Sequence, residues 1–287
     1  MKYALSSVLL AAFTATNVLA HGVIDSVQGA NGVTLPGLSL IDGTPRDCAS
    51  PRCGSEADTS IIRQRELGTN RASALGRTPA GGPVNAAAMI KLFMNGVGGN
   101  TSDIQQARAV HEANTARRSV NIAARQNGVG IKTAKGTAET GVKAATGMAA
   151  TQGMPTTADD NTIKMTFHQV NQDGAGPLTA DIDATSGGTD PSAFKPAKVI
   201  KNVPGIGFGG LSAASTMDFD VVVEMPAGMT CEANVGGASN VCIGRLHNNA
   251  IAGPFGGSVA FTQSLKARKR AVEFKLRKRT DARAFKA

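Results

Sequence analysis

The 287-residue chain contains no tryptophan, and its single tyrosine, Tyr3, falls within the first twenty residues. Downstream of residue 20 there is no Tyr or Trp to form the platform that stacks on flat polysaccharide surfaces, nor to carry a stray oxidising hole. Long apolar runs are also missing. Beyond a stretch from Val8 through Phe13, nothing approaches the roughly 18–20 residues that cross a bilayer, which excludes a membrane-spanning helix. No serine sits in a nucleophile-elbow sequence. The glycine-rich stretches 205–210 and 253–257 lack the Lys-Ser/Thr ending of a phosphate loop. Cysteine is scarce: Cys48, Cys53, Cys231 and Cys242 form two sequence-local pairs. In an oxidising compartment they predict Cys48–Cys53 and Cys231–Cys242 disulfides, one of three connectivities that four cysteines allow. Zinc is the competing reading, but neither pair has two-residue spacing and no histidine lies beside the first.

What is present begins with a leader. Residues 1–20 read as a secretory signal peptide: Lys2 supplies the positive start, the apolar stretch follows, and Val18-Leu19-Ala20 is a small-residue cleavage site. Cutting after Ala20 frees the α-amine of His21. An N-terminal histidine offers its amine and its imidazole to one metal. With one more imidazole this makes a three-nitrogen site suited to copper(II). The bland reading is that cleavage merely happens to leave a histidine there. Asn100-Thr101-Ser102 is the one glycosylation sequon.

The net charge of +9 is not spread over the chain. Residues 266–287 hold ten lysines and arginines against two acids, whereas residues 21–265 balance. The body is neutral and the C-terminal tail is basic, with dibasic pairs at Lys269-Arg270 and Lys278-Arg279. A basic tail suits anionic surfaces or nucleic acid. For a secreted chain, processing or a solvated, wall-binding tail is favoured over nucleic-acid recognition.

Gly22–Val27, Ile163–Phe167, Asp218–Met225, Asn240–Leu246 and Ser258–Phe261 read as short strands separated by turn signals. They predict a mainly β fold, an immunoglobulin-like antiparallel β-sandwich over residues 21–265. Residues 96–160 change character and read as a low-complexity insertion. Within it, 103–126 has helical spacing, and Gly128–Thr157 is too poor in apolar bulk to build a core, so it is expected to be mobile.

Of the four histidines, His168 follows the alternating strand 163–167 and enters a glycine-rich loop, where a ligand can be aimed without disturbing the core. His111-Glu112 begins like a zinc-protease motif, but position 115 is threonine. The roles of His111 and His247 stay open. Asp181 and Asp183 share one strand face and could serve glycoside hydrolysis or calcium binding, with a solvated turn the simpler reading.

The start His21-Gly-Val-Ile, the segments Asp42-Gly-Thr-Pro-Arg-Asp-Cys48 and Ala57-Asp-Thr-Ser-Ile-Ile-Arg63, and the longer motifs 167–177 and 248–257 resemble the Egh-type family of secreted fungal virulence factors. That resemblance implies an extracellular protein made around host penetration or hyphal surface growth. A more distant similarity is to the lytic polysaccharide monooxygenases, secreted copper β-sandwiches. It implies copper ligated by the amine and imidazole of His21 and by His168, with Phe261 axial and Gln263 beside it, and a fungal or plant wall polysaccharide as partner. Three readings follow in order: a surface or host-interaction protein with a histidine-brace copper site; a copper monooxygenase cleaving a wall glycan; and a metal-free structural or effector protein.

Overall fold

The computed structural model describes residues 21–95, 130–205 and 214–284. The leader, the 103–126 helix, His111 and the sequon at Asn100 lie outside the described residues. The strands are β1 (Gly22–Gln28), β2 (Thr34–Pro36), β3 (Ser60–Ile61), β4 (Arg77–Thr78), β5 (Gly82–Pro83), β6 (Ile131–Lys132) and β7 (Thr162–Gln169). They continue with β8 (Thr179–Asp183), β9 (Lys195–Lys201), β10 (Met217–Glu224), β11 (Ala233–Val235), β12 (Ala238–His247) and β13 (Phe255–Thr262). Helices α1 (Ala86–Asn95), α2 (Gly141–Ala145), α3 (Met148–Gln152) and α4 (Leu265–Ala284) complete the described elements.

The fold is mainly antiparallel β, as the strand patterns imply. Its strands follow one hydrogen-bonded path, β2-β1-β7-β10-β9-β8-β12-β13-β3-β4-β5, with β6 and β11 off it. Where an immunoglobulin-like sandwich has two separate sheets, here β9 pairs with both β10 and β8, and the sheet curls so that β1 lies against β13. The close approach is visible at Gly257, where an added Cβ would sit 2.9 Å from the Ile24 nitrogen. Ile24, Met165, Phe167, Phe219, Val259 and Phe261 fill the interior between the two halves. Such burial of aliphatic and aromatic side chains is the main favourable term in folding. Both expected disulfides are present, Cys48–Cys53 and Cys231–Cys242, with Cα atoms 6.6 Å and 4.9 Å apart.

The expectation of a mobile segment after residue 128 does not match the structure from residue 130 onward. β6 pairs with β10, and Ala144, Ala145 and Ala149 of α2 and α3 are buried. The segment lacks bulk because it packs closely, not because it lies away from the body. It also contributes Glu139 to a buried ionic cluster. The Arg46 guanidinium spans Asp58 through Nη1 at 2.9 Å and reaches Glu139 Oε2 through Nη2 at 2.9 Å, with all three residues buried. Glu139 Oε1 in turn accepts from the Gly141 amide at 2.7 Å. Burial alone would push the guanidinium toward neutrality; Asp58 and Glu139 outweigh it and hold Arg46 charged. Burial, with Asp25 adding repulsion, raises Glu139 above the usual carboxylate value despite Arg46.

The basic tail is likewise structured. Ser264 caps α4 by accepting from the Ala267 amide at 3.1 Å, and Ala267 and Ala271 are buried against the body.

Replacing Arg46 with methionine leaves Asp58 and Glu139 enclosed without a cation. It should cost about 3–5 kcal/mol in urea unfolding. A loss below about 1 kcal/mol, the range of an ordinary surface change, would mean that the cluster does not anchor these loops.

Candidate functional site

β1 and β7 bring the two sequence-selected histidines together. Register pairs Val23 with His168 and Gly22 with Gln169, and the Val170 amide donates to the His21 carbonyl at 3.0 Å. Opposed residues of an antiparallel pair share a face, so His21 and His168 are diagonal neighbours on one face. Diagonal neighbours in sheets lie about 7–8 Å apart, within reach of long or aromatic side chains.

His168 is fully buried and hydrogen-bonds through Nδ1 to Asp218 Oδ1 at 2.7 Å, its cross-strand partner on β10. A carboxylate on Nδ1 orients the ring and leaves Nε2 as the nitrogen with an available lone pair. Among the described residues Nε2 has no hydrogen-bond partner.

His21 is held at three points. Its backbone nitrogen donates to Asn171 Oδ1 at 2.8 Å, its carbonyl accepts from Val170, and its ring lies 4.3 Å from that of Phe255, centroid to centroid. Glycine is required beside it, because a Cβ on Gly174 would overlap the His21 carbonyl oxygen. Asn171 is fixed in turn: its Nδ2 donates to Glu56 Oε1 at 3.2 Å, and its carbonyl accepts from Gln169 Nε2 at 2.9 Å. Glu56 Oε1 also lies 3.1 Å from His21 Nδ1, but the pair is not aligned as a hydrogen bond, and Nδ1 is the other buried imidazole nitrogen without a partner. The two buried imidazole nitrogens without a hydrogen bond, His21 Nδ1 and His168 Nε2, belong to the two rings that register brings together. No group of three or more His, Cys, Asp and Glu side chains suited to a metal converges among the described residues. A site here would need the α-amine of residue 21 as its third donor.

Phe261 and Gln263 are not at this site. Phe261 is buried in the core, where its ring and the Val259 side chain pack over Gly244. Gln263 bonds Asn161, the Met229 carbonyl and the Cys231 amide, stapling the second disulfide. The aromatic ring against His21 is Phe255, at the other end of β13. The cause is strand direction: β13 enters beside His21 and leaves beside Cys231. Glu56, Asn171 and Phe255 are the site residues that sequence reasoning missed. Only the short distance from Phe167 to Asn171 and the run Asn248–Gly257 hinted at two of them.

The paired carboxylates are structural. Asp181 accepts from Arg245 Nη2 at 3.0 Å, and the Arg245 guanidinium stacks 4.2 Å from the Phe194 ring centroid. Asp183 accepts from the Thr185, Ser186 and Gly188 amides at 2.8, 2.8 and 2.7 Å and from the Ser186 hydroxyl. Burial pushes its carboxyl up, but the Ser186 hydroxyl and these amides outweigh burial and hold it below the usual value of 3.8. His247, at the end of β12, bonds the Asn248 carbonyl at 3.0 Å and the Thr179 hydroxyl, and burial pushes its pKa below 6.5.

The Egh16-like virulence factor family matches residues 19–256. The chain belongs to the Egh16-like family. Within that family it is similar to "Appressoria-specific virulence factor GAS2" of Pyricularia oryzae, 68% identical over 285 residues, covering 99% of this chain and 97% of the relative. It is also similar to "Appressoria-specific virulence factor GAS1" of the same fungus, 28% identical over 257 residues, covering 89% of this chain and 77% of that one. No solved structure matches this Egh16-like chain.

Asp183→Ala removes the acceptor of three amides, that of Gly188 buried, and should cost about 1–3 kcal/mol near neutral pH. Because the folded carboxyl is depressed, its contribution is present above 3.8 and lost as pH falls below that value. Unfolding curves of wild type and variant should therefore converge as pH drops toward 2–3, an approximate range. A gap independent of pH would contradict the assignment.

Proposed function

We propose that this Egh16-like protein acts outside the fungal cell at the hyphal or appressorial surface, and that it holds one copper ion between the His21 α-amine, His21 Nδ1 and His168 Nε2. The extracellular part rests on the virulence-factor relatives and the two disulfides. No described helix is long and apolar enough to cross a membrane. The observation that carries the metal part is the pair of buried imidazole nitrogens left without hydrogen bonds on one sheet face. Leaving such nitrogens buried without hydrogen bonds costs free energy that a metal would recover. The Asp218 contact on the far nitrogen of His168 is the outer arrangement that ligating histidines commonly have.

The donors are three nitrogens, which suit copper(II) better than calcium or magnesium. Bound copper would supply one-electron redox chemistry. This chain's own part is to fix the donors: Asn171 and Val170 hold residue 21, Asp218 orients His168, and Phe255 covers the His21 ring with an apolar surface. Burial favours metal binding over glycan oxidation, since His21 is 4% exposed and His168 is 0% exposed. The lack of Tyr and Trp downstream of residue 20 points the same way.

Protein secreted with a verified His21 terminus, loaded with copper and washed, should retain one equivalent. His168→Ala, and separately a one-glycine extension before His21, should each weaken retention by about tenfold or more. Equal retention in all three would overturn the site, and absence of copper from the unmodified protein would leave the metal-free reading.

A further inference from the structure

A second feature lies away from the histidines. A cleft of about 510 Å³ opens between α4 and the body, within the size range of sites that hold small ligands. Lys195, Lys275 and Lys278 line it together with Thr185 and Thr230, and among the described residues Glu232 is its one acidic member. Lys275 Nζ reaches Thr230 Oγ1 at 2.9 Å and Glu232 Oε1 at 3.6 Å, so Glu232 answers one of the three lysines. The helix is seated tightly: a Cβ on Gly228 would come within 2.9 Å of the Phe274 ring. Beyond the cleft, α4 runs 20 residues, about 30 Å. Lys266, Lys269, Arg270, Arg277 and Arg279 project from it toward solvent.

The geometry points to an interaction site for an acidic polysaccharide: the cleft takes a carboxylate-bearing sugar unit, and the basic faces of α4 follow the remaining charges of the chain. Lysines suit a uronate, whose carboxylate meets the ammonium groups. Charge complementarity selects a polyanion, because the body carries no net charge and the tail holds ten basic residues against two acidic ones. Nucleic acid fits less well, since no Tyr or Trp follows residue 20 and, among the described residues, Phe274 is the one aromatic ring at the cleft. A lipid surface also fits less well. The exposed apolar residues on the outer face of α4 are Leu265, Val272 and Leu276, too few for an interfacial helix, and bases surround them. Choosing a glycan among polyanions rests on the extracellular reading above but is independent of copper.

The test uses the chain from His21 to Ala287 with no metal added, so its outcome is separable from that of the copper site. Polygalacturonate is the probe, with a neutral β-glucan and phosphatidylserine vesicles as controls. Polygalacturonate should retain the protein and release it at about 0.5 M salt, where screening is nearly complete. The variant Lys195→Ala/Lys275→Ala/Lys278→Ala should bind about tenfold more weakly, and Lys269→Ala/Arg279→Ala, on the outer face, about threefold. Thermal unfolding checks that each variant is folded. If the triple variant is not, the exposed single change Lys278→Glu should still weaken binding by several-fold, an approximate expectation. Binding to β-glucan as tight as to polygalacturonate, stronger binding to the vesicles, or no loss in the folded cleft variants would overturn the proposal.

Discussion

The pairing of β1 with β7 is the constraint on which the candidate site depends. In a sheet, side chains alternate faces, so a slip of one residue would turn His21 away from His168 and place Gly22 and Gln169 where the histidines now stand. Two local features hold the register at the site end. The Val170 amide donates to the His21 carbonyl, and Asn171 Oδ1 accepts from the His21 nitrogen. Further along, the register shifts between Ile24 and Ser26, a bulge that gives Asp25 its own course near Arg46. β10 then continues the row, setting Asp218 opposite His168.

The outer loops depend on the same region of the sheet. Asp58, two residues after Glu56, is gripped by Arg46, and Arg46 is gripped by Glu139 from the segment that precedes α2. The cluster therefore ties the loop carrying Glu56 to a distant part of the sequence. Its energetic logic is that of buried ions generally: the pairs are weak as net stabilisers but costly to break singly. The consequence is positional, since Glu56 is brought to Asn171 and to the edge of His21.

Much of the fold was legible. The alternating segment at 163–167 became β7, the run 218–225 became β10, and the stretches 240–246 and 258–261 fall inside β12 and β13. The two disulfides followed from sequence proximity. Hydrophobic alternation reports which residues face a core, but it does not report which strands are neighbours, and so the continuous curled path through β9 was not foreseen. Composition misled at residues 130–157, where small residues pack closely, and at the tail, where charge concealed a helix seated by two alanines. At the site, the histidines were readable because an N-terminal imidazole and a strand-end imidazole are chemically distinctive. The monooxygenase resemblance implies Phe261, whereas the ring that meets His21 is Phe255, because a linear motif cannot tell which end of a strand approaches a distant residue. Glu56 carried no sequence signal, because an ordinary polar residue acquires such a role only through the tertiary contact, and Asn171 showed only as a member of the 167–177 motif.

The proposed copper site requires that residue 21 and His168 present three nitrogens to one point. The most direct measurement is the Cu(II) electron paramagnetic resonance spectrum of copper-loaded protein with a confirmed His21 terminus. The account predicts a tetragonal signal with couplings to three nitrogens, two from imidazoles and one from an amine. A spectrum dominated by oxygen ligands, or one unchanged in His168→Ala, would contradict it.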